Sequence, residues 1–259
     1  YFLDSSMIPH PKTYVIYRKD EAFELISKID HPLLGKSSIG GSGSGVMILN
    51  NERGKIKYIK RAFSVRGVKR RLGPNRITGT PKKWIAKAIK SPQYLIKKIR
   101  EYISIYRDGI RGYIIFQEYI QHDFEWRIVR IGDSYFAHKK VKYKDKASGS
   151  KEIEYCNPPL VILDFTRKLC EKHNFNFMAI DIFEDSRNGY LVNELQTIFG
   201  HVQDYILAVD GNPGRYRYLN NQWIFEKGDF NTNESYDLRL KTAIELYERS
   251  KESIVVSPR

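Results

Sequence analysis

Residues 176–196 are Asn176-Phe-Met-Ala-Ile-Asp-Ile-Phe-Glu-Asp-Ser-Arg-Asn-Gly-Tyr-Leu-Val-Asn-Glu-Leu-Gln196, two apolar runs on either side of a polar, turn-rich segment. This pattern predicts a β-hairpin. Folding the hairpin symmetrically about Arg187 and Asn188 brings Asp181 opposite Glu194. Residues directly opposite across paired strands have Cβ atoms about 4.5–5.5 Å apart, so the two acids are predicted to be neighbours.

These acids predict a metal site. Asp181 lies in an otherwise apolar run, where an unpaired carboxylate is costly to bury, and side-chain alternation places Gln196 on the same face as Glu194. Two carboxylates and an amide oxygen suit a hard cation such as Mg²⁺, which often shares its other ligands with substrate phosphates. On this reasoning, the acids tolerate each other because a divalent cation joins them. The alternative is a hairpin slipped by one residue, with Asp181 at a strand end in water.

Length and composition indicate a globular protein. A chain of 259 residues can bury a large core, in one domain or in two closely packed lobes. No apolar run approaches the roughly 20 residues of a membrane-spanning helix, and no signal peptide is recognisable. The two cysteines, Cys156 and Cys170, form no CxxC pair, which favours a reducing compartment and a cytoplasmic protein. The chain begins at Tyr1 rather than Met, as a fragment of a longer protein would.

The net charge of +14 comes from one segment of the chain. Residues 57–100 contain 15 Lys and Arg and no Asp or Glu; subtracting these 15 from the 44 in the chain leaves 29 basic against 30 acidic residues. Such a segment is expected to attract an anion: a nucleotide, an acidic polymer, nucleic acid or a membrane surface. A solvated basic helix face without a specific partner is the alternative.

A Gly/Ser-rich loop, Ser37–Gly45, joins two predicted strands, 33–36 and 46–49. Its backbone N–H groups could wrap a phosphate because glycine permits close approach and positive φ. Lys36, just before the loop, would supply a point charge. The loop matches neither the P-loop nor the GxGxxG pattern, both of which lead into a helix.

The other elements follow from apolar periodicity and from capping and turn residues. Further strands are predicted at 14–17, 113–120, 124–131 and 134–142, with hairpin turns at Arg53-Gly54 and within 216–225. Helices are predicted at 20–29, 82–90, 93–106, 158–173, 202–209 and 238–250.

In order, these pieces resemble the ATP-grasp superfamily, over roughly residues 9–200. Pro32-Leu-Leu-Gly-Lys36 and the following loop are similar to the family's strand and phosphate-binding flap. Gln117–Ile120 is similar to its hinge strand, and Glu125-Trp-Arg127 to its acid-x-Arg element seven residues later. Asp181, Glu194 and Gln196 have the spacing of its Mg²⁺ ligands.

The resemblance implies an α+β fold with antiparallel sheets in two lobes, 9–119 and 120–259, and with the nucleotide between them. It also implies roles for individual residues. The nucleotide phosphates would be held by Lys36, Gly40, Gly41, Ser42, Gly43, Ser44 and Gly45. Adenine would be held by Glu118, Tyr119 and Ile120, and the ribose by Glu125. Arg127 would lie near the transferred phosphate. Lys140 and Lys142 are the loose counterparts of further basic residues, with Lys140 a candidate for nucleotide binding and Lys142 a catalytic candidate beside Arg127.

Several features depart from the family pattern. Gln196 replaces the usual Asn, which is expected to weaken metal binding. An upstream Lys and the preceding substrate-side domain would lie before Tyr1, and the basic segment 57–100 is longer than in most relatives.

The resemblance predicts an ATP- and Mg²⁺-dependent carboxylate–amine ligase acting through an acyl phosphate. The basic charge suggests an acidic acceptor, such as an anionic cell-surface polysaccharide or its precursor, or peripheral contact with an anionic surface. An ATP-grasp phosphotransferase and a non-catalytic nucleotide- or polyanion-binding module are the alternatives. A nucleic-acid partner is disfavoured because no reader motif is present.

Overall fold

A computed structural model describes residues 2–37, 45–69, 109–142 and 153–255, with isolated positions between 86 and 103. The chain divides into two compact units, each with its own antiparallel sheet and hydrophobic core. The small unit is built mainly on residues 11–121, and the large unit on residues 1–10 and 122–259. The predicted α+β fold with antiparallel sheets is confirmed, whereas the lobe limits 9–119 and 120–259 stay a prediction.

The small unit contains a four-stranded sheet with strand order β1-β4-β2-β3. Its strands are β1 (Thr13–Ile16), β2 (Leu33–Lys36), β3 (Val46–Leu49) and β4 (Ile114–Glu118), and its helices are α2 (Lys19–Ser27) and α3 (Glu52–Ala62). Helix α2 buries Ala22 and Ile26, four residues apart, in a core that also contains Ile59 of α3 and Phe116 of β4. The predicted first helix and the strands on both sides of the Gly/Ser loop are therefore confirmed.

Helix α3 occupies the position where the sequence predicted a hairpin turn. Arg53 and Gly54 lie in its first turn, and the Oδ1 of Asn51 accepts the Gly54 N–H at 2.9 Å. An Asn in this position satisfies an N–H that has no partner within the helix. The hairpin prediction is wrong because Asn51 initiates a helix here and not a turn. The predicted helices at 82–90 and 93–106 lie largely outside the described residues.

The large unit contains an eight-stranded sheet whose main path is β10-β11-β6-β5-β8-β9, with β12 beside β11 and β7 beside β6. Its strands are β5 (Phe124–Ile131), β6 (Ser134–Val141), β7 (Ile153–Glu154), β8 (Phe177–Asp185), β9 (Gly189–Gln196), β10 (Ala208–Val209), β11 (Asn212–Leu219) and β12 (Gln222–Lys227). Its helices are α1 (Phe2–Ser5), α4 (Leu160–Lys172) and α5 (Tyr236–Val255). None of the helices in the described part of the chain combines the length and apolar character that crossing a bilayer requires.

The predicted hairpin β8–β9 is confirmed, although its register is not the predicted symmetric one throughout. Asp181 pairs with Glu194 as predicted, but Ile182 pairs with Val192, because a bulge follows Asp181. Asn193 is the extra residue on β9, and bulges of this kind redirect side chains locally. A slipped hairpin with Asp181 in water is excluded, since Asp181 is buried in the middle of β8.

Residues 202–209 do not form the predicted helix; only β10 is regular there. The backbone carbonyls of this segment accept side-chain hydrogen bonds: Ile206 from His138 at 2.9 Å and Tyr205 from Tyr155 at 2.8 Å. These tertiary contacts occupy carbonyls that a helix would pair with its own N–H groups. The predicted hairpin about Asn220 and the C-terminal helix are confirmed.

Candidate functional site

Asp181 is the most deeply buried acid of the predicted site, with 1% of the residue exposed. Its partners on the neighbouring strands are Arg127 of β5 and Glu194 of β9. Arg127 donates from Nε to Oδ1 at 2.8 Å and from Nη2 to Oδ2 at 3.2 Å, and Lys140 donates from Nζ to Oδ2 at 2.6 Å. Two cations therefore neutralise the carboxylate that the sequence assigned to a metal.

Glu125 joins the same group through Lys140, its direct partner on β6. The Lys140 Nζ lies 2.9 Å from Glu125 Oε2, and Glu125 is only 5% exposed. Glu125, Arg127, Lys140 and Asp181, called here the four-charge cluster, hold two negative and two positive charges. A buried ion pair is tolerated when its charges are matched and hydrogen-bonded; here the charges are matched, and Asp181 accepts hydrogen bonds from both cations.

The four-charge cluster keeps Asp181 ionised. Burial is the largest influence on its pKa and acts to raise it, but Lys140 and Arg127 together outweigh burial and hold the pKa of Asp181 below its ordinary value. The reasoning that only a divalent cation could make the two neighbouring acids tolerable is therefore wrong. Asp181 is compensated by protein cations, and Glu194 is exposed to solvent.

The three predicted metal ligands have the donor chemistry that Mg²⁺ prefers. Gln196 Oε1 accepts one hydrogen bond, from Arg127 Nη2 at 2.8 Å, while the Glu194 side chain contacts no partner among the described residues. Within the same residues, no three His, Cys, Asp or Glu side chains form a group that could hold a metal ion, and the predicted set contains only two such acids. The set thus fits the ion by donor chemistry alone, both carboxylate oxygens of Asp181 already accept hydrogen bonds from cations, and the metal site stays a prediction.

Glu125 has two neighbours that the sequence did not identify. His122 Nε2 lies 3.7 Å from Glu125 Oε1, and Asn193 Nδ2 donates to the same oxygen at 3.4 Å. Oε2 is buried and lies 2.9 Å from the Lys140 ammonium. The predicted contact of Glu125 with a ribose hydroxyl stays a prediction. The bulge that brings Asn193 here could not be read from the hairpin sequence.

Two buried histidines adjoin the cluster. His138 is the direct partner of Arg127 on β6, and its ring centroid lies 4.7 Å from that of His201. Burial lowers the pKa of His138 to about 3 and that of His201 to about 4, so both are neutral near pH 7.

Lys142 comes two residues after Lys140, directly beyond β6, so the two alternate onto the same side of the chain. It is half-buried, and its backbone N–H donates to the Asp123 carbonyl at 2.8 Å. Its proposed catalytic role stays a prediction.

The predicted nucleotide contacts of the small unit lie on β2 and β4. Lys36 ends β2, half-buried, and its carbonyl accepts the Tyr58 hydroxyl at 3.4 Å. Ser37 N–H donates to the Gly45 carbonyl at 2.7 Å, which closes the base of the Gly/Ser loop. Gly40, Gly41, Ser42, Gly43 and Ser44 lie outside the described residues.

Glu118 ends β4 and is held by its backbone N–H, which donates to the Lys12 carbonyl at 2.9 Å. Its carboxylate lies 3.9 Å from His31 Nε2 and is about one third exposed. Of the next two predicted adenine contacts, Tyr119 is half-buried and Ile120 is buried. Both residues follow the end of β4, and the predicted adenine contacts stay a prediction.

The architecture has counterparts among solved structures. A RimK-domain ATP-grasp protein from Sphaerobacter thermophilus has 15% identity and a TM-score of 0.45, covering 74% of this chain and 55% of that one. The ADP complex of PurK, an N5-carboxyaminoimidazole ribonucleotide synthetase, has 11% identity and a TM-score of 0.45, covering 78% and 44%. The ATP-grasp ligase PsnB with minimal precursor, Mg and ADP has 14% identity and a TM-score of 0.42, covering 75% and 46%.

The fold is similar to that of ATP-grasp proteins. The chain spans about half the length of the three structures. At these identities and TM-scores, the ATP-grasp likeness gives no argument about what the chain does. No protein-family model matches the sequence, and no curated protein matches it.

Proposed function

We propose that this chain is part of an ATP- and Mg²⁺-dependent ligase that joins a carboxylate to an amine through an acyl phosphate. The observation that carries the proposal is the four-charge cluster, in which a buried, ionised Asp181 is fixed by Arg127 and Lys140 beside Glu194 and Gln196. Three of these charged residues are buried and Arg127 is half-buried, although apolar residues of similar volume are often at least as stable in a sheet interior, so the cluster favours a functional role.

Mg²⁺ would be held by Asp181, Glu194 and Gln196, whose carboxylate and amide oxygens suit it. When bound, the ion would neutralise phosphate charge. Hydrogen bonds that hold two of these residues support this assignment: Lys140 donates to Asp181, and Arg127 donates to both Asp181 and Gln196. Preorganised charges of this kind cost no reorganisation during the reaction.

Arg127 would face the transferred phosphoryl group. Its Nε and Nη2 are used by Asp181 and Gln196, and Nη1 contacts no acceptor among the described residues. A guanidinium has five donors in a rigid fork, so these contacts leave N–H groups for a phosphate oxygen. Stabilising the charge that develops during phosphoryl transfer is the main task of protein groups in this chemistry.

The remaining assignments rest on the resemblance in motif spacing. Lys36 and the Gly/Ser loop would bind phosphates, Glu118 to Ile120 would bind adenine, and Glu125 would bind ribose. An acidic polysaccharide precursor as the acceptor, and a cytoplasmic location, rest on charge and composition alone.

The test is phosphate release from ATP. We expect release to require a carboxylate and an amine together, in a screen that includes acidic oligosaccharides and acidic peptides. Glu194→Gln should lower the rate about 10²–10³-fold. The matched control is Glu248→Gln, at another exposed glutamate, on α5 and with no partner among the described residues, and its rate should equal wild type.

Other products would contradict the ligase proposal. A phosphorylated hydroxyl compound formed without free phosphate indicates a phosphotransferase. Nucleotide binding without turnover in any substrate pair indicates a binding module.

A further inference from the structure

The large unit contains a polar cleft near the β5–β6 turn. This turn lies beyond the part of β5 and β6 that carries the four-charge cluster. Its volume is about 260 Å³, and it lies between the β5–β6 turn, strand β11 and the inner face of α5. The cleft begins at Ile131, four residues after Arg127 on β5. Four residues of a strand span about 13 Å. The cleft is therefore separate from the proposed catalytic site.

Cationic side chains dominate this cleft. Arg215, Arg217, Lys241 and Arg249 line it, against two acids, Asp133 and Glu245. Arg215 is already neutralised by Glu226, to which its Nε and Nη2 donate at 2.9 and 3.1 Å. The other three cations form no ion pair in the described part of the chain.

Arg217 shows most directly that an acceptor is missing. Its Nε is buried and donates to no acceptor among the described residues. A buried donor without a partner is rare in folded proteins and costs about 1–3 kcal/mol. The Arg217 side chain lines the cleft, and the Nη groups of its guanidinium could donate to a ligand oxygen there.

The walls of the cleft are fixed in place. At Gly132, which has φ +57°, a Cβ atom would lie 2.6 Å from Thr242 Cγ2, so the β5–β6 turn touches α5 directly. Arg215 Nη1 donates to Ser134 Oγ at 2.9 Å and ties β11 to the same turn. The cations on β11 and α5 are thus held on opposite sides of one small space.

We propose that this cleft binds a phosphate-type oxyanion, either inorganic phosphate or the phosphate of a small phosphomonoester. Arginine matches the geometry of phosphate with two parallel N–H···O bonds. Asp133 and Glu245 repel an anion, which limits the ligand to a small group placed against Arg217, Lys241 and Arg249. This site is independent of the proposed ligase reaction.

The test is a phosphate titration of ¹⁵N-labelled protein, which observes the arginine Nε–H signals. Inorganic phosphate and glycerol phosphate are the two arms, and the tighter binder identifies the source of the phosphate group. We expect a saturable shift of the Arg217 Nε–H signal. The Arg217 Nε–H signal reports binding in this cleft, whereas phosphate bound at the nucleotide site would shift the signals of other residues. The two proposals can therefore fail independently: a chain without ligase activity should still show the Arg217 shift.

Substituting a cation or an acid of the cleft should change the phosphate affinity in opposite directions. Lys241→Gln, at an exposed position that should not affect folding, and Arg217→Gln should each weaken phosphate binding about tenfold or more, since each loses a charged donor. Glu245→Gln should strengthen binding because it removes a repelling charge. Lys168→Gln, an exposed lysine of α4 outside the cleft, should leave affinity unchanged. Absence of a saturable shift, or equal affinity in all three cleft variants, would overturn the proposal.

Discussion

Arg127 and Asp181 are direct partners on β5 and β8 and share two hydrogen bonds, from Nε to Oδ1 at 2.8 Å and from Nη2 to Oδ2 at 3.2 Å. Because the pair lies across two neighbouring strands, the sheet itself sets its geometry. The same Nη2 also donates to Gln196 Oε1 at 2.8 Å. One arginine thus positions two of the three proposed metal ligands.

Lys140→Met should destabilise the protein strongly. Lys140 Nζ is the shared partner of Asp181 and Glu125, and removing one member of a buried ion pair costs about 3–5 kcal/mol. The matched control is the adjacent Lys139→Met. Lys139 pairs with the half-exposed Glu154, and such surface pairs contribute about 0–1 kcal/mol. Urea unfolding gives both free energies, and equal losses would show that the four-charge cluster is not energetically coupled.

The free energy of unfolding should rise with pH between about 4 and 6.5. The pKa of His201 is lowered by burial from 6.5 to about 4. In that interval the unfolded chain binds a proton that the folded chain does not, so stability increases with pH. His138, with a pKa of about 3, acts in the same direction. The check is denaturant unfolding across this range, where His201→Gln should flatten the slope; an unchanged slope would contradict the assignment.

Much of the hairpin was predictable, since two apolar runs around a turn determine strand pairing locally. The neighbouring position of Asp181 and Glu194 was predicted correctly, but the bulge at Asn193 was not, because no residue in the two apolar runs marks an extra position; in the fold, Asn193 contacts Glu125 on another strand. The cations beside Asp181 were missed for the same reason. Arg127 and Lys140 are 54 and 41 residues away in sequence and meet the carboxylate only through strand order.

Two segments were predicted wrongly because contacts outside the local pattern decide their structure. Residues 202–209 contain apolar residues at helix-compatible spacing, yet hydrogen bonds from His138 and Tyr155 fix their carbonyls in an irregular path. At Arg53-Gly54, the same polar residue types favour both a turn and a helix start, and the cap at Asn51 determines the outcome. Local sequence does not contain the tertiary partners that decide between such alternatives.

Gly35→Ala should destabilise the small unit beside Lys36. A Cβ atom at position 35 would lie 2.5 Å from Cε2 of Tyr58, whose ring is only 4% exposed and cannot move into solvent. Overpacking of this kind typically costs about 1–3 kcal/mol. Tyr58→Leu should restore part of the loss in the double variant. Additive losses, measured by urea unfolding, would show that the two residues do not compete for this space.

The most direct test of the metal and nucleotide site uses Mn²⁺ in place of Mg²⁺, with electron paramagnetic resonance to count free Mn²⁺ in the presence of a non-hydrolysable ATP analogue. The wild-type protein should bind Mn²⁺ together with the nucleotide. Glu194→Gln should bind Mn²⁺ at least about tenfold more weakly. The control variant Glu248→Gln should bind Mn²⁺ as tightly as wild type. Asp181→Asn should also lose metal, with circular dichroism confirming that it folds. Equal Mn²⁺ binding by wild type and Glu194→Gln, or none by wild type, would contradict the account.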